Sequence, residues 1–186
     1  MKVAGLVLAA GAGTRLGAPK ALLRIGDRTL AERAVGVLRE GGCDPVVVVL
    51  GAQRAEVERA IVVANPEWET GMGSSLRAGL AALSKLESEA VVVTLVDMPG
   101  ITAEAVRRVA RLASPGALVM AGYEGRRGHP VLFGRNHWAG IAEKAVGDSG
   151  ARGYLRVHEV EVVVCSDVAS DDDIDTPDDA ARWGVG

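Results

Sequence analysis

A glycine-rich segment that also carries two cations follows the first apolar run of this chain, Val3–Leu8. Its chemistry-bearing residues are Gly11, Gly13, Arg15, Gly17 and Lys20. Glycine lets backbone N–H groups approach a ligand closely and adopts positive φ without steric cost. Arginine and lysine add fixed positive charge. Loops of this composition after a strand bind polyphosphates, so we expect a phosphate site here.

The spacing of this loop excludes the two commonest phosphate-binding loops. A dinucleotide fingerprint needs G-x-G-x-x-G opening a helix, whereas this loop reads G-x-G-x-x-x-G and Pro19 disfavours helical geometry at Ala18. A P-loop needs a hydroxyl residue after its lysine, but Ala21 follows Lys20. A plain glycine turn between strand and helix remains an alternative, and the two cations argue against it.

Two aspartates lie where a divalent cation could be held. Asp97 directly follows the apolar run Ala90–Val96, and Asp175 lies in the acidic segment 171–179. Magnesium in phosphate-handling sites is usually bound by one or two carboxylates. Asp97 could instead cap the following turn. For Asp171, Asp172, Asp178 and Asp179 we expect an exposed acidic surface that suits a helix N-terminus.

The motif L-A-A-G-x-G-x-R-x-G-x-P-K, from Leu8 to Lys20, resembles the signature of nucleotidyltransferases. These enzymes move a nucleoside monophosphate from an NTP onto a phosphate, and the branch that modifies molybdenum cofactor is the most similar. The pair Ala9–Ala10 resembles its cytidylyltransferases, which implies CTP. D-M-P and D-I-D-T-P resemble the family's metal motifs, which implies that Asp97 and Asp175 bind Mg²⁺.

Three further segments resemble the same family. Asn65–Leu76 matches N-P-x-W-x-x-G-M-x-S-S-L, which implies nucleobase and ribose contacts at Gly73, Ser74 and Ser75. Segments similar to G-x-R-G-x-P-V-L-F and G-D-x-G-A-R imply an acceptor site formed by Arg127, His129, Asp148 and Arg152. Arginine suits an anionic acceptor because its guanidinium binds phosphate in a bidentate manner.

Each of these assignments has a plainer alternative. One of the two serines should be the N-cap of a helix, and we expect that role of Ser74. His129 could be an ordinary loop histidine, and Asp148 could cap the next helix. Arg77, one turn into the predicted helix, could reach a ligand or lie in solvent.

The resemblance implies a magnesium-dependent in-line reaction. The terminal phosphate of molybdopterin attacks the α-phosphorus of CTP, and pyrophosphate leaves. Arg15 and Lys20 are then catalytic through charge stabilisation. The predicted nucleotide-binding set is Leu8, Ala9, Ala10, Gly11, Gly13, Arg15, Lys20, Gly73, Ser74 and Ser75.

Two other functions stay open. The chain could use GTP or UTP, or act on another small phosphorylated acceptor. It could also be a non-catalytic accessory protein that delivers molybdenum cofactor to a dehydrogenase. The presence of Lys20, Asp97 and Asp175 together argues against that second function, since a protein without chemistry has no need of all three.

Composition bounds the remaining expectations. The 186 residues predict one domain over 1–186, with 48% hydrophobic and 24% charged residues. A formal net charge of −3 argues against a general nucleic-acid binder. No apolar run is long enough for a membrane span, and no cleavable leader is evident. We expect a cytoplasmic protein in which Cys43 and Cys165 are buried or incidental thiols.

Apolar runs alternate with helical patterns along the chain. Predicted strands are Val3–Leu8, Pro45–Leu50, Ile61–Ala64, Ala90–Val96, Ala117–Ala121, Pro130–Phe133 and Val160–Cys165. Predicted helices begin after Thr29, Ser74, Thr102 and Thr176. Continuous valine runs are typical of strands covered on both faces. The pattern predicts an α/β fold, a single-domain Rossmann-like three-layer αβα sandwich with a mostly parallel sheet, in which ligands bind at the carboxyl ends of the strands.

Overall fold

The computed structural model describes residues 1–51 and 53–186. Its strands are β1 Val3–Ala9, β2 Arg24–Ile25, β3 Arg28–Thr29, β4 Val46–Leu50, β5 Ile61–Ala64, β6 Ala90–Leu95, β7 Leu118–Tyr123, β8 Arg126–Gly134 and β9 Glu161–Val164. Its α-helices are α1 Leu30–Glu40, α2 Met72–Ser84, α3 Ala103–Ala110, α4 Trp138–Lys144, α5 Arg152–Leu155 and α6 Pro177–Arg182. Within these residues no helix is both long and apolar enough to cross a membrane.

Seven strands form one sheet in the order β5-β4-β1-β6-β8-β7-β9. All neighbouring pairs are parallel except those of β8, which runs antiparallel to both β6 and β7. The short strands β2 and β3 form a separate hairpin. The carboxyl ends of β1, β4 and β6 therefore meet at one edge of the sheet, and the glycine loop leaves from the central strand there.

Helices cover both faces of the sheet. Alternate residues of β1 show the division: Val7 belongs to the apolar cluster that includes residues of α1, α3 and α6, whereas Leu6 belongs to the cluster that includes residues of α2, α4 and α5. Both residues are fully buried. The predicted three-layer α/β fold with a mostly parallel sheet is confirmed.

The predicted helix starts are confirmed at three of four positions. Thr29 and Thr176 each form a capping box, with Pro177 in the first turn of α6, and the Thr102 side chain accepts a hydrogen bond from Ala105 N. The prediction that Ser74 caps α2 is wrong, because α2 begins at Met72 and its N-cap is Gly71. Gly71 adopts φ 111°, a conformation that favours glycine.

The region around β8 departs most from the expected strands. The predicted strand Pro130–Phe133 extends back to Arg126, because a two-residue turn at Glu124–Gly125 with positive φ connects it to β7 as a hairpin. Arg126 and Arg127 are exposed and lack the apolar pattern of a strand. The predicted strand Ala117–Ala121 lies instead at Leu118–Tyr123.

Candidate functional site

The glycine loop turns tightly as it leaves β1. Gly13 adopts φ 59°, and a Cβ atom at this position would lie 1.9 Å from the carbonyl oxygen of Ala18. The Gly13 carbonyl accepts a hydrogen bond from Leu16 N at 2.9 Å. The loop thus folds back on itself at Gly13 and delivers the chain to Lys20, the first residue of a 3₁₀ turn that ends at Leu22.

Lys20 lies between the two predicted metal ligands. Its Nζ atom is 2.7 Å from Asp97 Oδ2 and 2.5 Å from Asp175 Oδ1. The side chains of Lys20 and Asp97 are 15% and 17% exposed, whereas that of Asp175 is 47% exposed. Lys20 lies 77 positions from Asp97 and 155 positions from Asp175 in the sequence. The three residues therefore form one part-buried ion cluster.

Backbone pairing brings Asp175 to Asp97. Ile174 N donates to the carbonyl of Asp97 at 2.9 Å, and the Ile174 side chain is fully buried. On the other side, Asp179 Oδ2 accepts from Asp175 N at 3.2 Å as part of the α6 cap. The segment is thus anchored on both sides of Asp175, which fixes the distance between the two carboxylates.

Charge and burial shape the protonation of this cluster. Burial alone lowers the pKa of Lys20, but its hydrogen bonds to Asp175 and Asp97 raise the pKa above the ordinary value. The hydrogen bond from Lys20 in turn lowers the pKa of Asp175. Burial, with the nearby Asp175 and Asp97, raises the pKa of Asp173. Lys20 and Asp175 therefore stabilise each other in the charged form.

Asp97 and Asp175 fit a divalent cation. Each already directs one carboxylate oxygen at the same positive charge, and carboxylate oxygens are the ligands that Mg²⁺ prefers. Among the described residues no group of three or more His, Cys, Asp or Glu side chains is placed to hold a metal. Mg²⁺ is commonly bound by one or two carboxylates together with phosphate oxygens and water, and this pair suits that mode.

A cleft of about 300 Å³ opens over the ion cluster. Among the residues predicted from the sequence, its lining includes Leu8, Ala10, Gly11, Lys20, Ser75, Asp97 and Asp148. Arg15 is exposed and does not line the cleft. The structure thus places Gly11 of the glycine loop, Lys20, Asp97 and one acceptor candidate around a single space, whose lining does not include Asp175.

A smaller, mainly apolar cavity of about 110 Å³ adjoins this cleft. The two share Ala10, Gly11, Ala12 and Trp68. Gly51 and Gln53, which were not predicted as site residues, also line the smaller cavity. A Cβ at Gly51 would lie 2.5 Å from Ala10 O and 3.0 Å from the Trp68 ring. The sequence signal that could have identified Gly51 as a site residue is its position just after β4, at the edge of the sheet where ligands bind.

The two serines are held by Asn65 rather than free. Asn65 Nδ2 donates to Ser74 Oγ at 2.8 Å and to Ser75 Oγ at 3.0 Å, and all three residues are buried. Ser74 Oγ also donates within its own turn to the Gly71 carbonyl at 2.8 Å. This network fixes the start of α2 from within, which explains why Ser74 is not its cap.

The neighbours of these serines pack against the chain around Ala145. A Cβ at Gly73 would lie 2.7 Å from the Ala145 carbonyl, so Gly73 permits this close contact. Arg77 donates a hydrogen bond to the same carbonyl. Arg77 is thus half-buried rather than free in solvent, and it ties α2 to the end of α4.

The predicted acceptor residues are spread around one end of the cleft. Asp148 lines the cleft, and its Oδ1 lies 2.7 Å from where a Cβ of Gly71 would be. His129 is half-buried on β8, where burial lowers its pKa to about 4 and the charges of Asp97 and Arg152 act on it with opposite sign. Arg152 begins α5 and is exposed. Arg127 lines a different surface depression, with His158 and Glu161.

Comparison with known proteins identifies the family. Residues 5–162 match the MobA-like NTP transferase domain, which spans the glycine loop, Lys20 and Asp97. The chain belongs to this family. As a MobA-like transferase it has the nucleotidyltransferase architecture that the motifs predicted, and Asp175 lies beyond the matched range.

Two curated relatives carry different names. The MobA-like chain is 40% identical over 196 aligned residues to nicotine blue oxidoreductase of Paenarthrobacter nicotinovorans, covering 97% of this chain and 95% of that protein. It is 41% identical over 103 residues to a probable molybdenum cofactor guanylyltransferase of Opitutus terrae, covering 54% of this chain and 50% of the relative.

Solved structures share the fold over their full length. Rv0371c of Mycobacterium tuberculosis superposes with a TM-score of 0.80 at 28% identity, covering 99% of this MobA-like chain and 98% of the other. A second structure of Rv0371c, a complex with manganese, gives a TM-score of 0.77 at 26% identity, with 98% of each chain covered.

Proposed function

We propose that this MobA-like transferase moves CMP from CTP onto the terminal phosphate of molybdopterin or molybdenum cofactor and releases pyrophosphate. The observation that carries the proposal is the ion cluster of Lys20, Asp97 and Asp175, which lies where the glycine loop ends. A transferase of this class needs cations at a triphosphate and carboxylates for a divalent metal. The cluster supplies both kinds of group beside one cleft.

The protein's share of catalysis is positioning and charge stabilisation. Backbone amides after Ala10 would bind the triphosphate, as they do in other glycine loops. A phosphate oxygen of the acceptor forms a bond to the α-phosphorus while the bond to the departing pyrophosphate breaks. Lys20 and Arg15 offset the charge that builds on the phosphates. One unit charge pair at 4 Å contributes roughly 4 kcal/mol at an effective dielectric constant of 20.

Magnesium is the cation that we propose for Asp97 and Asp175. When bound, it neutralises phosphate charge and aligns the α-phosphorus for attack. The manganese complex of Rv0371c, which shares this fold, supports a divalent metal in such proteins. The two carboxylate oxygens that now contact Lys20 are the groups that would hold it.

The acceptor end of the cleft supports an anionic partner substrate. Asp148 lines the cleft, and His129 and Arg152 are close enough for the arginine charge to act on the imidazole. We assign these three residues to molybdopterin, whereas Arg127, which the sequence also suggested, lines a separate depression with His158 and receives no such role. Delivery of the product to a molybdenum-dependent dehydrogenase, in the cytoplasm, completes the proposal.

CTP and GTP are the two candidate nucleotide substrates, and they differ in the nucleobase that the site must accept. Ala9 and Ala10 resemble the cytidylyl pattern, and both line the small apolar cavity in which Gln53 is the amide available to a nucleobase. The relative from Opitutus terrae is named a guanylyltransferase, which makes GTP the competing substrate. Pyrophosphate release should be measured with molybdopterin and each of the four NTPs. CTP should give the highest kcat/KM; preference for GTP would reassign the base, and no release with any NTP would reject transfer.

A redox function is the second candidate, because the relative that matches 97% of this chain is named an oxidoreductase. A hydride-transferring protein needs a nicotinamide or flavin cofactor to carry the electrons. The loop spacing departs from the dinucleotide fingerprint, and hydride transfer does not require Lys20, Asp97 and Asp175 together. Oxidation of NADH or NADPH in the presence of nicotine blue, followed by absorbance, distinguishes the two. Turnover there, without pyrophosphate release from CTP, would favour the redox function.

A further inference from the structure

A second cavity, of about 350 Å³, lies on the opposite face of β6 from the candidate active site. We call it the α1–α3 cavity. It lies between α1 and the start of α3, with Thr94, Met98 and Ile101 on one side and Arg28, Arg33 and Val37 on the other. Its lining shares only Val96 with the cleft over the ion cluster. The proposed nucleotidyl transfer assigns no role to this space.

Two arginines give this cavity its charge. Among the described residues, neither Arg28 nor Arg33 forms an ion pair or donates a side-chain hydrogen bond, and the Nε atom of Arg33 is buried without a partner. Arg39, on the same helix, pairs with Asp44 at 3.1 Å, although its Nε atom is also buried without a partner. Glu40 is the one carboxylate in the lining and is exposed. Two arginines against one carboxylate leave the lining with a formal charge of +1.

The buried hydroxyl of Thr94 is a second, independent indication that this cavity holds a ligand. The residue is 2% exposed, and its hydroxyl has no hydrogen-bond partner among the described residues. Buried hydroxyls almost always find a partner, and an unsatisfied one is an exception that needs an explanation. Thr94 lies on β6 within the lining of the cavity, where valine would fill the same space without that cost.

The remaining lining is mixed. Val37, Val96, Met98 and Ile101 contribute apolar side chains, and Glu40 and Thr102 contribute polar ones. The first turn of α3, whose residue Ala103 also lines the cavity, adds the positive end of a helix dipole. A volume of this size, with apolar walls and a few polar groups, is typical of a small-molecule site.

We infer that the α1–α3 cavity binds a small organic anion, with its phosphate or carboxylate group on Arg28, Arg33 and the Thr94 hydroxyl and its apolar body against Ile101. Arginine binds both head groups in the same bidentate manner. A phosphate ester and a carboxylic acid are therefore the two classes of ligand that these arginines would bind in the same way.

The test uses site-resolved amide NMR shifts with phenyl phosphate, benzoate and the neutral benzyl alcohol as probes. Phenyl phosphate or benzoate should shift the amides of Thr94 and Ile101 in a saturable way, and the tighter of the two identifies the head group. Arg28→Gln combined with Arg33→Gln should weaken that binding by about tenfold or more. The matched variant Arg39→Gln, on the same helix but outside the cavity, should leave it unchanged.

Three results would overturn the inference: shifts confined to the glycine loop at Gly11 and Gly13, equal affinity in the double variant and the native chain, or equal binding of benzyl alcohol. Thr94→Val keeps the shape of the side chain and provides a second check. It should weaken probe binding while the chain stays folded, and unchanged binding would contradict the contact with Thr94. None of these measurements depends on turnover, so they stand apart from the proposed transfer reaction.

Discussion

Lys20 and Asp97 form an ion pair of 2.7 Å at the position that we propose for the metal ion. The same ammonium group lies 2.5 Å from Asp175. Lys20 therefore occupies the space between the carboxylates in the free protein, while the proposed reaction requires it to contact phosphate. Binding of metal and nucleotide must move the ammonium group away from one or both aspartates.

Replacing Lys20 with methionine should consequently have two opposite effects. Affinity for Mn²⁺ without nucleotide should rise about fivefold, since a competing cation worth roughly 1 kcal/mol is removed. Turnover should fall by about 10²–10³-fold, because one charge-stabilising donor is lost. Mn²⁺ binding is measured by calorimetry and turnover by pyrophosphate release, with Lys85→Met as the surface control. Unchanged metal affinity would show that Lys20 does not compete for the site.

Asp97→Asn should abolish metal-dependent turnover while the fold is kept. The amide keeps the shape of the side chain but removes the negative charge that a divalent cation requires. Asp178→Asn, in the exposed first turn of α6, is the matched control and should behave as the native chain. The measurement is the rate as a function of Mg²⁺ concentration. A native dependence in Asp97→Asn would exclude this residue as a ligand.

The two loop glycines Gly13 and Gly17 should respond differently to alanine. Both have positive φ, so each substitution costs about 1–2 kcal/mol in backbone strain. Only Gly13 also has a close neighbour, since a Cβ there would lie 1.9 Å from Ala18 O, whereas nothing lies within 4 Å of a Cβ at Gly17. Gly13→Ala should lose nucleotide binding by more than about tenfold, and Gly17→Ala should lose far less. Calorimetry with CTP compares them, and equal losses would contradict a role for this contact.

The sequence predicted the central strands and most helix starts because those signals are local. Valine runs such as β4 are buried on both faces, and Thr29 finds its capping partner three residues away. The turn at Glu124–Gly125 and the exposed Arg126 and Arg127 lack the apolar pattern, so the start of β8 and its hairpin were not predicted.

Long-range contacts explain what could not be predicted at the site. The hydrogen bond from Asn65 to Ser74 depends on packing between β5 and α2, and no rule of sequence spacing predicts it. The pairing of Asp97 with Asp175 was suggested by family motifs rather than by spacing, because the link through Ile174 N is a backbone bond between distant segments. The α1–α3 cavity depends on the packing of two helices and gave no sequence signal.

His129 should make stability depend on pH in the acidic range. Burial lowers its pKa to about 4 in the folded chain, against about 6.5 when unfolded. Between these values the unfolded chain binds more protons, so the contribution is complete above about pH 6.5 and is lost as the pH falls towards 4. The slope should stay below about 1.4 kcal/mol per pH unit because a single proton is exchanged. Urea unfolding of the native chain and His129→Gln measures it, and identical slopes would contradict the shift.

Cys43 should be inert towards thiol reagents as long as the chain is folded. Its side chain is 1% exposed, and burial raises the pKa of the thiol to about 12. Since only the thiolate reacts, a fraction of roughly 10⁻⁴ is reactive at about pH 8, and that fraction is shielded as well.

Burial also raises the pKa of Cys165, which is fully buried. Ellman's reagent should therefore detect no thiol in the native chain and both thiols in denaturant, whereas Val157→Cys, at a position 75% exposed, should react at once. Rapid reaction of one thiol in the native chain would mean that the layer between α1 and β4, where Cys43 lies, opens far more often than its packing predicts.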